Sequence, residues 1–359
     1  MLLYLLVNII IIFFGFLYEI INSKERNSSN KKSNLIVLIF IIPSFILLFI
    51  LSSFRGEFTT DYDAYVNLFN YYNQFSWLDI FYLDIYQEIG YVFLNKTIGV
   101  FTTNELYLFI FTSLIILLCF YTQFKKYSPY IWISVLLFVT IGSFYASFNI
   151  TRQILAAAII FAGSQYLFER KMGKYILTVF LAALFHRTAL IMIIFFFILN
   201  NRFKLKNIIV IFFIAIISML YIGNIIDYIQ TYFYTEYKVD SYGMSGLKYT
   251  NIVLPISILI FVMFHFKKIN LENLKYKISV NAIIFYAFFS ILGLKVMMIE
   301  RLSHFFAPYA LLIIPIIISQ IKSKELRGMY IMALIIFCIL YNYLVLRDTG
   351  YDPYYLIFK

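Results

Sequence analysis

The chain has 359 residues, 63% hydrophobic and 13% charged, with a formal net charge of +11. Soluble domains run about 45–50% apolar and about 25% charged, so this composition excludes an ordinary soluble domain and specifies an integral membrane protein. The basic excess, which in a soluble protein would suggest nucleic acid, is accounted for below by membrane topology, and nucleic acid is not expected as a partner.

In chain order, apolar runs predict spans over 2–21, 35–53, 106–124, 130–148, 150–168, 208–223, 252–266, 278–294, 302–320 and 329–346. That makes about ten full spans in one all-α polytopic bundle covering 1–359. The first run lacks a basic leader and a small-residue cleavage site, so it reads as an uncleaved anchor. Cys119 and Cys338 each fall inside an apolar run, which suits core packing rather than a disulfide frame or a metal site.

The stretch 175–199 breaks the pattern. It is long and apolar enough for one span, yet its middle reads Phe185-His186-Arg187-Thr188. A charge at the bilayer centre costs about 2.5–3.5 kcal/mol even on lenient insertion scales, so such a residue faces protein or a water-filled cavity. Arg170, Lys171 and Lys174 precede the stretch, and Arg202, Lys204 and Lys206 follow it. The positive-inside rule puts both ends in the cytoplasm. Two half-helices that enter, turn at His186-Arg187 and return satisfy this, and irregular backbone at that depth requires a cavity or protein around it.

With 175–199 re-entrant, the loops at 22–34, 125–129, 169–174, 200–207, 267–277 and 321–327 are cytoplasmic and hold 19 of the 29 lysines and arginines. Both termini then lie outside. The two largest external loops are 54–104 and 224–250. The first is aromatic, and its Tyr62, Tyr65, Phe69 and Tyr72 recur at helical spacing, which predicts one or two amphipathic helices on the outer leaflet. Such a loop serves as an interfacial anchor or as a platform on which rings stack against sugars.

Polar groups gather at five places at the external ends or in the interior of spans. These are Arg55 to Asp61-Tyr62-Asp63, Gln87-Glu88 with Tyr91 and Asn95, Asn149 with Thr151, Arg152 and Gln153, His186-Arg187-Thr188 near mid-depth, and Lys295 with Glu300-Arg301 and His304. Asn149, Arg152 and Gln153 share one helix face, as do Arg301 and His304. Converging arginines match phosphate oxygens in bidentate fashion, which points to a polyanionic ligand such as a pyrophosphate. A histidine beside them, held neutral by a neighbouring cation, suits a base. Bland readings stand beside these: Glu300-Arg301 as an interfacial pair, Arg152 as a turn cap, His186 as a core histidine. His265, beside Lys267-Lys268, reads as structural. Phosphate-loop, metal-ligand and nucleophile-elbow motifs are missing, so neither metal nor cofactor is expected, and Asp61-x-Asp63 alone is weak.

In that order, Arg55 with Asp61-Tyr62 and Tyr65, Glu88-Ile89-Gly90-Tyr91 with Leu94-Asn95, Arg152-Gln153 with Leu155-Ala156, Ala182 with Phe185-His186 and Ala189, and Arg301 before a Phe-rich helix, the chain resembles the EpsG family, relatives of Wzy-type polysaccharide polymerases. It departs from the expected pattern at Arg187, where a small residue is usual, and at Ile89, where proline is common. The resemblance covers about residues 40–320 and implies a GT-C-like membrane glycosyltransferase of a bacterial cytoplasmic membrane. It would join undecaprenyl-pyrophosphate-linked oligosaccharide units on the outer face, with a flippase and a chain-length regulator of the same pathway as partners. On that reading His186, Arg152, Arg301, Asp61 and Glu88 are catalytic. Arg55, Arg187, Gln153, Asn149, Lys295, His304, Tyr62 and Tyr91 hold the substrate and its pyrophosphate. Asp61 or Glu88 is an alternative base to His186. Rival readings are a flippase or exporter of the lipid-linked sugar, a membrane O-acyltransferase with His186 as base, and an O-antigen ligase.

Overall fold

Long apolar runs with no water to satisfy their backbone must close their hydrogen bonds within helices, and helices dominate here. A computed structural model describes residues 1–24, 39–82, 88–233, 250–349, 351 and 354–356. Among the described residues the helices are α1 (Leu2–Lys24), α2 (Ile42–Ser53), α3 (Tyr62–Asn73), α4 (Ile89–Phe101), α5 (Leu106–Tyr127), α6 (Ile131–Thr140), α7 (Ser143–Asn149), α8 (Thr151–Ala162), α9 (Ser164–Phe168), α10 (Met172–Ala183), α11 (Ile191–Asn200), α12 (Leu205–Phe233), α13 (Thr250–His265), α14 (Leu274–Leu292), α15 (Met297–Glu300), α16 (Ala310–Ser319) and α17 (Lys324–Thr349). An isolated antiparallel bridge, Arg55 to Leu356, is the extent of β-pairing among them. The protein is a polytopic membrane helical bundle.

Five helices are long and apolar enough to cross a membrane, six if α6 and α7 count as one, and several shorter apolar helices accompany them. The expected ten unbroken spans are thus revised by local breaks. The run 130–148 bends by 45° between α6 and α7. Gly142 supplies the bend at φ +94, a left-handed conformation that any side chain would strain. The run 150–168 divides at Gly163 into α8 and α9. The run 302–320 begins as two 3-10 turns, Arg301–Phe305 and Ala307–Tyr309, and becomes α-helical only after Pro308. The second loop expected at 224–250 starts later, because α12 continues to Phe233; 234–249 lie outside the described residues, as do 25–38 and Gln87.

The stretch 175–199 is a hairpin. Tyr175, near the start of α10, meets Phe196, near the end of α11, with ring centroids 5.6 Å apart. A continuous helix would separate them by about 30 Å. The chain reverses at 184–186, where His186 is extended, and re-forms through a 3-10 turn at Arg187–Leu190. The open end of the hairpin is tied to α14. Lys277 Nζ donates to Asn200 O (2.6 Å), and Asn281 Nδ2 donates to Leu199 O (2.9 Å) and Asn201 O (2.8 Å). These three carbonyls end α11 and would otherwise be orphaned. Replacing Asn281 with leucine, similar in size, leaves two of them bare. The expected cost is about 1–3 kcal/mol, read as a lower melting midpoint of the purified protein, whereas Leu177→Ala on the exposed side of α10 leaves the midpoint in place.

The bundle has two chemically distinct ends. At one, Lys126 Nζ donates to Gln165 Oε1 (2.7 Å), Lys275 lies over the Tyr127 ring (5.4 Å), and Arg202 pairs with Glu272 (2.8 Å). Four of the basic loops therefore meet there. His265 lies nearby in sequence to Lys267-Lys268 and is packed by Phe261 and Tyr330. At the opposite end lie Arg55, Glu88, Asn149, Arg152, the hairpin turn and Tyr351. The Tyr4 hydroxyl bonds Tyr351 O there, and Asn149 Nδ2 donates to the Tyr351 hydroxyl (2.9 Å), so both termini share that end.

A candidate active site around Glu88

The segment 54–104 builds one wall of this end. The periodic stripe of α3 is real but turns inward: Tyr62, Tyr65, Phe69 and Tyr72 are all buried. Tyr62 stacks on Phe109 of α5 (4.9 Å), and Tyr65 stands edge-on to Tyr91 of α4 (6.0 Å). The stripe thus packs on its own chain rather than lying on a leaflet. Against this cluster packs Phe185, immediately before the hairpin turn.

Glu88 precedes α4 and is the hub. Its Oε2 pairs with Arg152 Nη1 at 2.5 Å, and its Oε1 lies 3.2 Å from His186 Nδ1. The same Oε1 accepts from the Arg187 backbone N–H (3.2 Å), so an acid sits where the 3-10 turn exposes its first donor. The Glu88 side chain is 9% exposed and that of Arg152 26%. Burial pushes the Glu88 carboxyl up, but His186 and the Arg152 charge outweigh it and hold the group down at about 2. A carboxylate lowered on folding adds stability that is present above its unfolded value and is lost only as pH falls towards 2, so this hub stays charged across pH 5–9.

Two backbone features fix Glu88 in place. Gly90 N–H donates to Leu184 O (2.9 Å), docking the start of α4 on the hairpin turn. A Cβ on Gly90 would fall 2.6 Å from Leu184 Cβ and 2.7 Å from Leu184 O, so the approach requires glycine. The Arg152 guanidinium also lies over the Tyr91 ring (5.7 Å), and Tyr91 itself is fully buried.

The other expected site residues are distributed as follows. Gln153 Nε2 donates to Arg301 O, bringing the 3-10 turn that carries Arg301 and His304 onto α8 beside Arg152; His304 is half-buried. The Arg187 side chain is exposed and makes no ion pair among the described residues. Lys295 is exposed on the turn after α14. Asn149 O accepts from the Tyr65 hydroxyl (2.6 Å). Asp61 is half-buried just ahead of α3, and the Thr60 hydroxyl bonds its carboxylate (3.4 Å).

Arg55 is 1% exposed and is not part of the Glu88 centre. It lies between the rings of Phe109 (4.4 Å) and Phe148 (5.2 Å) and donates to Ser52 O (2.5 Å) and Thr151 Oγ1 (3.5 Å). The tail closes over it: Gly56 N–H donates to Tyr355 O (2.7 Å), and the Tyr354 hydroxyl donates to Leu51 O (2.6 Å). This tail was missed in the sequence. The signal was present in the spacing Tyr351, Tyr354, Tyr355, an aromatic-rich run like that of the 54–104 segment.

Taken together, one carboxylate, two arginines and a histidine converge on a hairpin turn, with a third arginine on the adjoining 3-10 segment. Such a centre can hold a polyanion and move a proton. No curated protein and no solved structure matches the chain. The model of the EpsG family matches residues 38–357, which takes in every element of this centre and the tail that closes on Arg55. The chain therefore belongs to the EpsG family, a family of Wzy-type polysaccharide polymerases.

Proposed function

We propose that the protein joins undecaprenyl-pyrophosphate-linked oligosaccharide repeat units into a surface polysaccharide at the external face of the bacterial cytoplasmic membrane. The observation that carries this reading is the cluster of Glu88, Arg152, His186 and Arg187 at the end of the bundle opposite the basic loops. The positive-inside rule assigns the basic end to the cytoplasm, so the cluster opens outward, where flipped lipid-linked units are found. Re-entry of α10–α11 from the cytoplasmic side brings His186 and Arg187 to that face without a full crossing.

The growing chain, on its lipid pyrophosphate, is the donor. Arg187, whose guanidinium is exposed and unpaired among the described residues, binds the pyrophosphate together with Arg152 and Arg301, with Lys295 at the rim. Their charge is in place before the reaction and stabilises the negative charge that develops on the leaving group. His186 takes the proton of the acceptor hydroxyl on the incoming unit. Asn149 and Gln153 hold the start of α8. Tyr62, Tyr91 and Arg55, all buried, shape this end from within rather than presenting faces to a sugar. Asp61, at the edge of α3, is placed to accept sugar hydroxyls. A flippase and a chain-length regulator act before and alongside it.

The test is a polysaccharide size profile. Cells lacking the protein are expected to accumulate single repeat units outside, restoration to give a ladder, and His186→Ala or Arg187→Ala at normal expression to give none. Long polymer from both variants would refute the assignment. Units trapped in the cytoplasm would show a flippase, and full-length polymer missing one substituent an acyltransferase.

A further inference from the structure

Both oxygens of the Glu88 carboxylate already have partners. Oε2 is held by Arg152, Oε1 accepts from the Arg187 N–H, and the buried His186 Nδ1 stands 3.2 Å from Oε1. It is also nearly sealed from solvent, and its lowered pKa makes it a weak base. An ionised carboxylate facing a ring nitrogen demands a proton on that nitrogen, because two acceptors repel. In neutral imidazole the other nitrogen is then bare.

We propose that Glu88 is a positioning residue: it fixes His186 as the tautomer protonated at Nδ1, so that Nε2 is the atom that takes the acceptor hydroxyl's proton. This rests on the polymerase reading for its reaction and on geometry alone for its tautomer. The step balances as follows. The acceptor oxygen bonds to the anomeric carbon of the donor while its proton passes to Nε2. The bond from that carbon to the pyrophosphate oxygen breaks, and its electron pair leaves with the lipid pyrophosphate. The imidazolium, transiently paired with Glu88, then releases its proton to water.

Glu88 faces the ring from the start of α4, Arg152 of α8 pairs with the other oxygen of the same carboxylate, and Arg187 is the next residue of the turn; Tyr65 of α3 and Tyr91 of α4 belong to the aromatic cluster that packs Phe185. Glu88 is the one anion among them at neutral pH. Glu88→Gln keeps the shape of the side chain but removes the charge that holds a proton on Nδ1.

The experiment uses the full chain, purified into lipid nanodiscs, with lipid-linked repeat units extracted from cells lacking the protein as donor and acceptor. Rate is followed from pH 5 to 9. Glu88→Gln is expected to lower kcat at least about tenfold and to give a mixture of the two neutral His186 tautomers; Glu88→Asp is expected to restore the single tautomer. A rate that falls in Glu88→Gln while the His186 tautomer stays single would refute the proposal in favour of a purely structural role. The chain has three histidines, so ¹⁵N-histidine labelling, with His186→Ala for assignment, reads the tautomer directly. Nε2 unprotonated in the neutral wild-type ring supports the proposal, and Nε2–H overturns it. Because the spectrum needs no turnover, it decides the tautomer even if the wild-type protein makes no polymer, which would sink the polymerase reading instead.

Discussion

Arg152→Ala is expected to abolish polymer formation and to destabilise the protein, and a second substitution at Glu88 is expected to return the stability but not the activity. The physical reason is asymmetry. Deleting one member of a buried ion pair leaves the other desolvated and unpaired, which costs about 3–5 kcal/mol where burial is complete. Arg152 is 26% exposed, so solvent already screens part of the pair and about 2–3 kcal/mol is expected. Glu88 would keep His186 and the Arg187 N–H, neither of which replaces a guanidinium held at 2.5 Å. Glu88→Ala strands Arg152 less severely, since arginine can turn to solvent. The double variant removes both charges and is expected to melt within a few degrees of the wild type. The three melting midpoints and the wild type form a double-mutant cycle, and a coupling of about 1–3 kcal/mol is the expected result. Additive losses would mean that the pair does not hold this end together.

The hairpin at 175–199 was legible because two independent signals agreed. Cationic flanks at both ends forbade a single crossing, and His186-Arg187 supplied a polar place to turn. The aromatic stripe of α3 was legible from its period, but the direction it faces was not. A period reports that one side of a helix is buried; it is silent on whether lipid, sugar or Phe109 does the burying. The breaks in the longer spans were hidden for a related reason. Hydropathy averages over a window, and the 45° bend at Gly142 lies in one residue's φ, which no average registers.

Glu88, Arg152 and His186 each stood out as polar residues at apolar boundaries. Their partnership did not. Arg152 is 64 residues from Glu88 and the Arg187 N–H is 99, and spacing rules reach only a turn or two along a helix. Arg55 shows the opposite failure. An arginine beside acids in a polar loop reads as a ligand, yet here its plane is enclosed by Phe109 and Phe148 and covered by the tail. Arginine's weak hydration and planar face allow it to serve as packing, and sequence alone does not separate that use from anion binding.

Gly90→Val is expected to lower the polymerisation rate by about a hundredfold or more while leaving the bundle folded. Nothing about glycine's chemistry enters the reaction; the effect is steric and acts at a distance. The Gly90 N–H bond to Leu184 O is the one backbone tie, among the described residues, between the start of α4 and the hairpin turn, and the missing side chain is what permits it. Any Cβ would meet Leu184 at 2.6 Å, and its carbonyl cannot move aside as a flexible side-chain tip would. The branched valine therefore pushes α4 off by about an ångström or more, and a displacement of that size in a catalytic array costs about 10²-fold. Glu88 is two residues away and travels with the helix, so His186 and the Arg187 N–H lose their acceptor together. The bundle core lies elsewhere, around α5, α8 and α14, and keeps its packing. The rate in nanodiscs and the melting midpoint, measured on the same preparation, separate the two effects. A rate within threefold of wild type would show that Glu88 does not depend on this contact for its place.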